Sequence, residues 1–272
     1  MKLKFFCPRW GSEALPWDDF FLKVKSAGYD GVEIGFPFTL NENEQQEILT
    51  GLKKYDLEVI GQHWQTIERN FVQHQKTYEK HLLSLAKLNP LFINSQTGKD
   101  YFSTNQNLAL MAISTKISDE TGIKILHETH RGKWSFAAHI THQYLLNNPK
   151  IRITLDISHW FNVAESLLED QPEAVELAIQ HTDHLHARIG FQEGPQVIDP
   201  RIPANKELLD AHLMIWDKLI KSKKGSDIFT ITPEYGAPPY QLLHPQTLKP
   251  LVSQWEINLW MKEILTIRYA NL

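Results

Sequence analysis

A single cysteine, Cys7, is all the chain offers for covalent cross-linking, so no intrachain disulfide can staple the fold and stability must come from an apolar core. No apolar run approaches the roughly 20 residues that span a bilayer, and the most hydrophobic pieces, such as Leu91 to Ile93, are strand-length. The start, MKLKFFCPRWG, carries charge but lacks the apolar stretch of about 7–15 residues that a secretory signal needs. These absences lead to the expectation of a cytoplasmic protein without a membrane span. Lysine and arginine number 28 against 32 acids, for a net charge of −4. They gather into no basic stripe that would attract a phosphate backbone, so a nucleic-acid partner is disfavoured. Glycine and proline are scattered, with no Ser-rich, Gly-rich or like-charge run to serve as a linker, which points to one domain over residues 1–272. Neither GxGxxG nor GxxxxGK followed by Ser or Thr occurs, so a nucleotide-binding open sheet loses its best support. Nothing in the sequence excludes a homo-oligomer.

What is present is a regular alternation. The 272 residues are 42% hydrophobic, enough for a large core, and the length suits an α/β barrel, for which about 250 residues is typical. Short β-rich runs are expected at Leu3–Phe6, Gly31–Phe36, Glu58–Gln62, Phe92–Ser95, Lys124–Glu128, Arg152–Asp156, Leu185–Arg188 and Phe229–Thr232. Amphipathic stretches follow each of them, at Ala14–Ala27, Glu44–Lys54, Tyr78–Lys87, Asn107–Glu120, Phe136–Leu146, Glu173–His181, Lys206–Lys221 and Leu251–Ile267. Eight such units with no sign of a reversed strand order predict a closed (β/α)₈ TIM barrel, class α/β.

In that architecture catalytic groups stand where strands end, and four strand ends here are polar. They read His127-Glu128-Thr129-His130, Asp156-Ile157-Ser158-His159, His184-Leu185-His186-Ala187-Arg188 and Pro233-Glu234-Tyr235. Residues two apart on a strand share a face. Ile153 and Leu155 therefore oppose Arg152, Thr154 and Asp156; Leu185 and Ala187 oppose His184, His186 and Arg188; Phe229 and Ile231 oppose Thr230, Thr232 and Glu234. The acids and imidazoles then point inward together. Three carboxylates in one mouth raise one another's pKa unless a cation neutralises them. Glu128, Asp156, His186 and Glu234 are the expected ligands of one divalent ion. Three oxygen donors and one nitrogen suit Mn²⁺, Mg²⁺ or Co²⁺, with Zn²⁺ less favoured in a site without sulfur.

Over its whole length the chain resembles the xylose isomerase-like barrels, which include sugar isomerases, ketose 3-epimerases, inosose dehydratase and endonuclease IV. Leu155-Asp156-Ile157-Ser158-His159 is similar to that family's aspartate with a histidine three residues on, and His184-Leu185-His186 to its seventh-strand HxH. The resemblance implies that His186 is the ligand histidine and that Glu128 and Glu234 both bind metal and exchange substrate protons. It also implies that His159 contacts substrate, a small carbohydrate. Two family positions differ: Trp134 stands where the epimerases carry a further glutamate, and Gln192 where they carry an arginine. In their place Arg131, Lys133 and Arg188 are available to hold the far end of a polyol, an acid or a phosphorylated sugar.

The expected chemistry is proton transfer next to a carbonyl through an enediolate, giving an isomer or an epimer. An inosose-type dehydratase would use the same metal and base. A phosphodiesterase of the endonuclease IV type calls for more histidine ligands and a more basic surface, and a barrel that binds sugar without turnover is the non-catalytic alternative. His130, His63 and Glu33 are placed at the mouth and His184 one layer deeper. Trp10, Trp64, Trp134 and Trp160 follow strands, as sugar-stacking walls or as core.

Overall fold

In the computed structural model, which describes residues 1–37 and 39–270, the eight expected strands are all present. They are β1 (Lys2–Pro8), β2 (Gly31–Ile34), β3 (Glu58–His63), β4 (Phe92–Ser95), β5 (Lys124–Glu128), β6 (Ile153–Leu155), β7 (Thr182–Ala187) and β8 (Ile228–Pro233). All pair in parallel in sequence order. β8 returns to β1 through a register running from Lys2 opposite Ile228 to Phe5 opposite Ile231, closing the barrel.

The helices are α1 (Trp17–Ser26), α2 (Glu42–Lys54), α3 (Phe71–Ala86), α4 (Thr104–Thr121), α5 (Ala138–Asn147), α6 (Ser158–Ala164), α7 (Pro172–His181), α8 (Lys206–Ser222) and α9 (Gln254–Arg268). Local chemistry sets several ends. Asn41 with Glu44 and Ser103 with Gln106 form reciprocal capping boxes on α2 and α4, and Gly122, at φ 73°, closes α4 in the left-handed conformation. Two features depart from the sequence expectation. α3 begins at Phe71 rather than Tyr78, because the Asn70 side chain accepts from the Gln73 amide and starts two turns whose only apolar residues, Phe71 and Val72, are adjacent and show no helical period. α6, seven residues long, follows β6 almost at once and was not expected, being too short to show a period.

Apolar side chains divide into two bodies. A large one fills the layer between strands and helices, with Phe20, Phe21, Ile48, Leu82, Leu145, Trp160 and Trp216 fully buried in it. The smaller, Phe6, Ile60, Phe92 and Leu126, fills the inside of the barrel beneath the strand ends. Gly31 makes this filling feasible: a Cβ there would lie 2.5 Å from the Phe6 ring and 2.4 Å from the Glu58 carbonyl oxygen. Trp134 and Trp160, two of the four tryptophans read as walls or core, are core.

Candidate metal centre

Alternation carries Glu128, Asp156, His186 and Glu234 from the ends of β5, β6, β7 and β8 into the barrel, all almost completely buried. One ligand atom from each lies within 4.8 Å of those of the other three. His186 Nδ1 is 2.9 Å from Glu234 Oε2 and 3.8 Å from Glu128 Oε1. Asp156 is held by the start of α6, its Oδ1 accepting from the Ser158 amide at 3.1 Å and from the Ser158 hydroxyl at 2.5 Å. Where the ladder between β5 and β6 runs out, the Thr129 hydroxyl takes over, accepting from the Asp156 amide and donating to its carbonyl.

A ring of polar groups surrounds these four. Glu33 of β2, expected at the mouth, lies beneath His186 instead. Its oxygens are 3.0 and 3.1 Å from His186 Nε2 and 3.3 Å from His184 Nε2, and it accepts from Thr232 Oγ1 at 2.6 Å and Asn94 Nδ2 at 3.1 Å. His184 is turned away from the mouth, with Nδ1 near the Thr230 carbonyl and hydroxyl. Three amides from β3, β4 and the loop after β4 complete the ring: Gln62 donates to Glu234, and Asn94 and Gln96 donate to Glu128. None of the three amides was legible as functional, since Asn and Gln at strand ends carry no distinctive spacing.

Arg188 departs most from expectation. Rather than reaching outward to a distant substrate group, it turns back across the centre. Its Nε donates to Asp156 Oδ2 at 3.1 Å and its Nη2 to Glu234 Oε2, while its plane sits 4.7 Å from the Tyr240 ring centroid. Arg188 and Glu234 form the floor of a cavity of about 520 Å³ at the strand ends, walled by Trp10, Trp64, Gln62, Gln96, His130 and Tyr240. His130 lines this cavity, bonds Tyr240 and packs against His159 with ring centroids 3.9 Å apart and planes tilted by 47°. His159 is fully buried, 3.6 Å from Asp156 Oδ2, with neither ring nitrogen hydrogen-bonded.

The other expected substrate contacts do not line the cavity. Arg131 is exposed, bonding Asn162 and facing Tyr240. Lys133 is buried beside the loop after β4. His63 points to the helical layer, its nitrogens taken by the Ser95 and Thr66 hydroxyls; Gln62 has the inward phase, so His63 cannot.

The charges are unequal. Burial, with the Glu234 and Asp156 charges, pushes the Glu128 carboxyl up to about 8 against the pull of His186 and Arg188. Burial acts upward on Glu234 too, but the His186 and Arg188 cations outweigh it and hold that carboxyl well below the usual range. Burial lowers both His130 and His159, which keeps the pair neutral.

A divalent ion fits this donor set. Nε2 of His186, donating to Glu33, leaves Nδ1 without a hydrogen bond and facing the oxygens of Glu234 and Glu128. A lone pair aimed at carboxylate oxygens is tolerable only when a proton or a cation lies between them. Glu33–His186 has the form of the carboxylate–histidine pair that orients metal-bound imidazoles.

No protein-family model matches the chain and no curated protein matches it in sequence. Solved structures match over nearly its full length. The probable 3-DHS dehydratase AsbF of Bacillus anthracis aligns over 97% of this chain and 99% of its own at 16% identity, with a TM-score of 0.63. A xylose isomerase domain containing protein of Salmonella typhimurium LT2 aligns over 97% and 96% at 12% identity, with a TM-score of 0.65. A D-tagatose 3-epimerase-like protein aligns over 97% and 96% at 16% identity, with a TM-score of 0.61. Identity this low speaks for the fold alone: with the closed eight-stranded topology, the chain is a (β/α)₈ barrel whose fold is similar to those of these three proteins.

Proposed function

We propose that the chain is a divalent-metal-dependent isomerase or epimerase that moves a proton next to the carbonyl of a small polyhydroxylated substrate. The observation that carries this reading is the convergence of Glu128, Asp156, His186 and Glu234 within 4.8 Å of one another, with Glu234 lining a cavity large enough for a sugar. Those four residues would hold the ion, and Mn²⁺, Mg²⁺ or Co²⁺ suits their oxygen-rich donor set. When bound, such an ion supplies Lewis-acid polarisation of the substrate carbonyl.

The chain's own residues divide the remaining work. Glu234 lines the cavity and is held anionic by Arg188 and His186, so it is the base that removes the α-proton. Glu128, the other glutamate of the set, is the group that returns one. Gln62 and Gln96 fix the orientations of these two carboxyl groups. Return to the neighbouring carbon gives an isomer, and return to the opposite face of the same carbon gives an epimer. Trp10 and Trp64 wall the cavity and limit water around the carbanion equivalent.

The test is incubation of metal-loaded protein in D₂O with a panel of aldoses, ketoses, inososes and their acids and phosphates, followed by NMR. Deuterium at an inverted centre identifies epimerisation, at a carbon beside a shifted carbonyl isomerisation, and in an unsaturated product dehydration. Glu234→Gln and Glu128→Gln should each suppress the signal, because an amide cannot take or give the proton as a carboxyl does. Metal-loaded protein that gives neither label nor product across the panel overturns the reading.

A further inference from the structure

We propose that the cavity contains a carboxylate subsite built on Arg9, so that the substrate is a hydroxy acid bearing a carbonyl rather than a neutral sugar. The assignment of reaction rests on the function proposed above; the binding subsite stands on the following geometry.

Arg9 directly follows β1 and lines the same cavity as Glu234 and Arg188. It is 7% exposed. Its Nη2 donates to the Leu15 carbonyl at 2.5 Å and the Glu13 carbonyl at 3.3 Å, and its guanidinium carbon lies 4.3 Å and 4.5 Å from the ring centroids of Trp17 and Phe20. Two carbonyls and two rings therefore fix the fork. Nη1 is buried and has no hydrogen-bond partner.

The two arginines of the cavity differ in one respect. Arg188 is neutralised by Asp156 and Glu234, whereas among the described residues no carboxylate comes within ion-pair distance of Arg9. Glu13 is adjacent, but its Oε2 accepts from the Gly11 amide at 2.9 Å. A buried guanidinium without an anion is costly, and the cost falls when an anion arrives. A purely structural role, fastening the loop between β1 and α1, accounts for Nη2 and the ring contacts but leaves Nη1 unexplained. A carboxylate suits the free Nη1 and the single uncompensated charge; a phosphate dianion would bring a second negative charge against Glu13 on the same wall.

Calorimetry on the wild-type protein with matched probes tests this without any variant: glucuronate against glucose and glucose 6-phosphate, and gluconate against sorbitol. At least one carboxylate should bind roughly tenfold or more tighter than its neutral counterpart, with the difference shrinking as salt rises. Arg9→Gln should erase the preference, Arg9→Lys should restore part of it, and Glu13→Gln should strengthen acid binding several-fold while leaving the neutral probes unchanged; thermal melting checks that each variant is folded. Acids that bind no tighter than their neutral counterparts, or no binding by any probe, overturn the subsite. So does a folded Arg9→Gln that keeps the preference, and a phosphate bound tenfold more tightly than the carboxylate replaces it with a phosphate site. Deuterium exchange separates the two proposals: absent exchange with the acid preference intact removes the reaction and leaves the subsite, and exchange confined to neutral sugars does the reverse.

Discussion

The inside of the barrel is two different materials within the length of one strand. Phe6, Ile60, Phe92 and Leu126 form an apolar plug in which nothing titrates. Two residues further along, β3, β4 and β5 carry Gln62, Asn94 and Glu128 inward, and β2 and β7 add Glu33, His184 and His186; all of these but Gln62 are at 1% exposure or less. The two meet where the Phe92 and His184 rings lie 5.1 Å apart. The lower layer repays burial directly, since each apolar side chain placed there gains transfer free energy. The upper layer incurs desolvation that its internal pairs only partly offset. A fold selected for stability alone would extend the plug upward, so the polar layer is the part shaped by chemistry.

The sharpest way to break the comparison is Asp156→Ala, which removes one of the proposed charged ligands and leaves Arg188 paired with Glu234 alone. Divalent-ion affinity should fall by on the order of a thousandfold or more, beyond the ~10–100-fold typical of groups outside the ligand set, as read by calorimetry after chelator treatment. Melting temperature in the absence of metal should change little or rise, because one carboxylate fewer is buried. Wild-type protein that binds no divalent ion would sink the assignment of all four ligands. Phe6→Ala should do the opposite, costing about 3–5 kcal/mol in denaturant unfolding, with metal affinity of the folded fraction within about threefold of wild type.

This division was half legible in the sequence. Strand phase separated Ile153 and Leu155 from Asp156, and Leu185 from His184 and His186, because a period of two survives even in strands of three to six residues. Phase also contained the answer for His63, whose neighbour Gln62 takes the inward position and leaves His63 facing the helical layer. Cross-strand distance is what one sequence cannot supply. Nothing in the order of residues shows that Arg188 folds back onto Asp156, that Glu33 reaches His186 from 153 positions away, or that Tyr240 arrives from the loop after β8 to cover them. Arg9 escaped notice for a similar reason, since its significance lies in the absence of an acid partner in space.

The boundary between the two layers can be probed at Glu33. Glu33→Gln keeps the size but removes the charge opposite His186 Nε2 and His184 Nε2. Metal affinity should drop by about 10–100-fold, in the range for carboxylates that orient ligand imidazoles. ¹⁵N NMR should show His186 losing a uniquely Nε2-protonated form in the metal-loaded protein. His184→Ala, which removes a ring bonded to Glu33 and set edge-on to His186 but not itself a proposed ligand, should weaken the ion less than His186→Ala does. Equal losses for the two histidine variants, both folded by circular dichroism, would show that the wrong ring had been chosen.

The smallest expected effect lies at the opposite rim, where charge serves stability in the ordinary way. Asp183, at the start of β7, accepts from Arg152 Nε at 3.0 Å and Nη2 at 2.5 Å and pairs with Lys124. Burial pushes its carboxyl upward, but the hydrogen bonds and charges of Arg152 and Lys124 outweigh this and hold it below the usual range. A carboxyl depressed in the folded state contributes stability that is fully present above its unfolded value of about 3.9 and is lost as pH falls through the folded value. Asp183→Asn should therefore cost about 1 kcal/mol at pH 7, since the group is only a quarter exposed. The difference between wild type and variant should shrink below about pH 4 and be unchanged between pH 5 and 8. Denaturant titrations across that range check both, and a difference that persists undiminished at pH 2 would mean that packing at β7, not the ionised pair, is what the substitution disturbs.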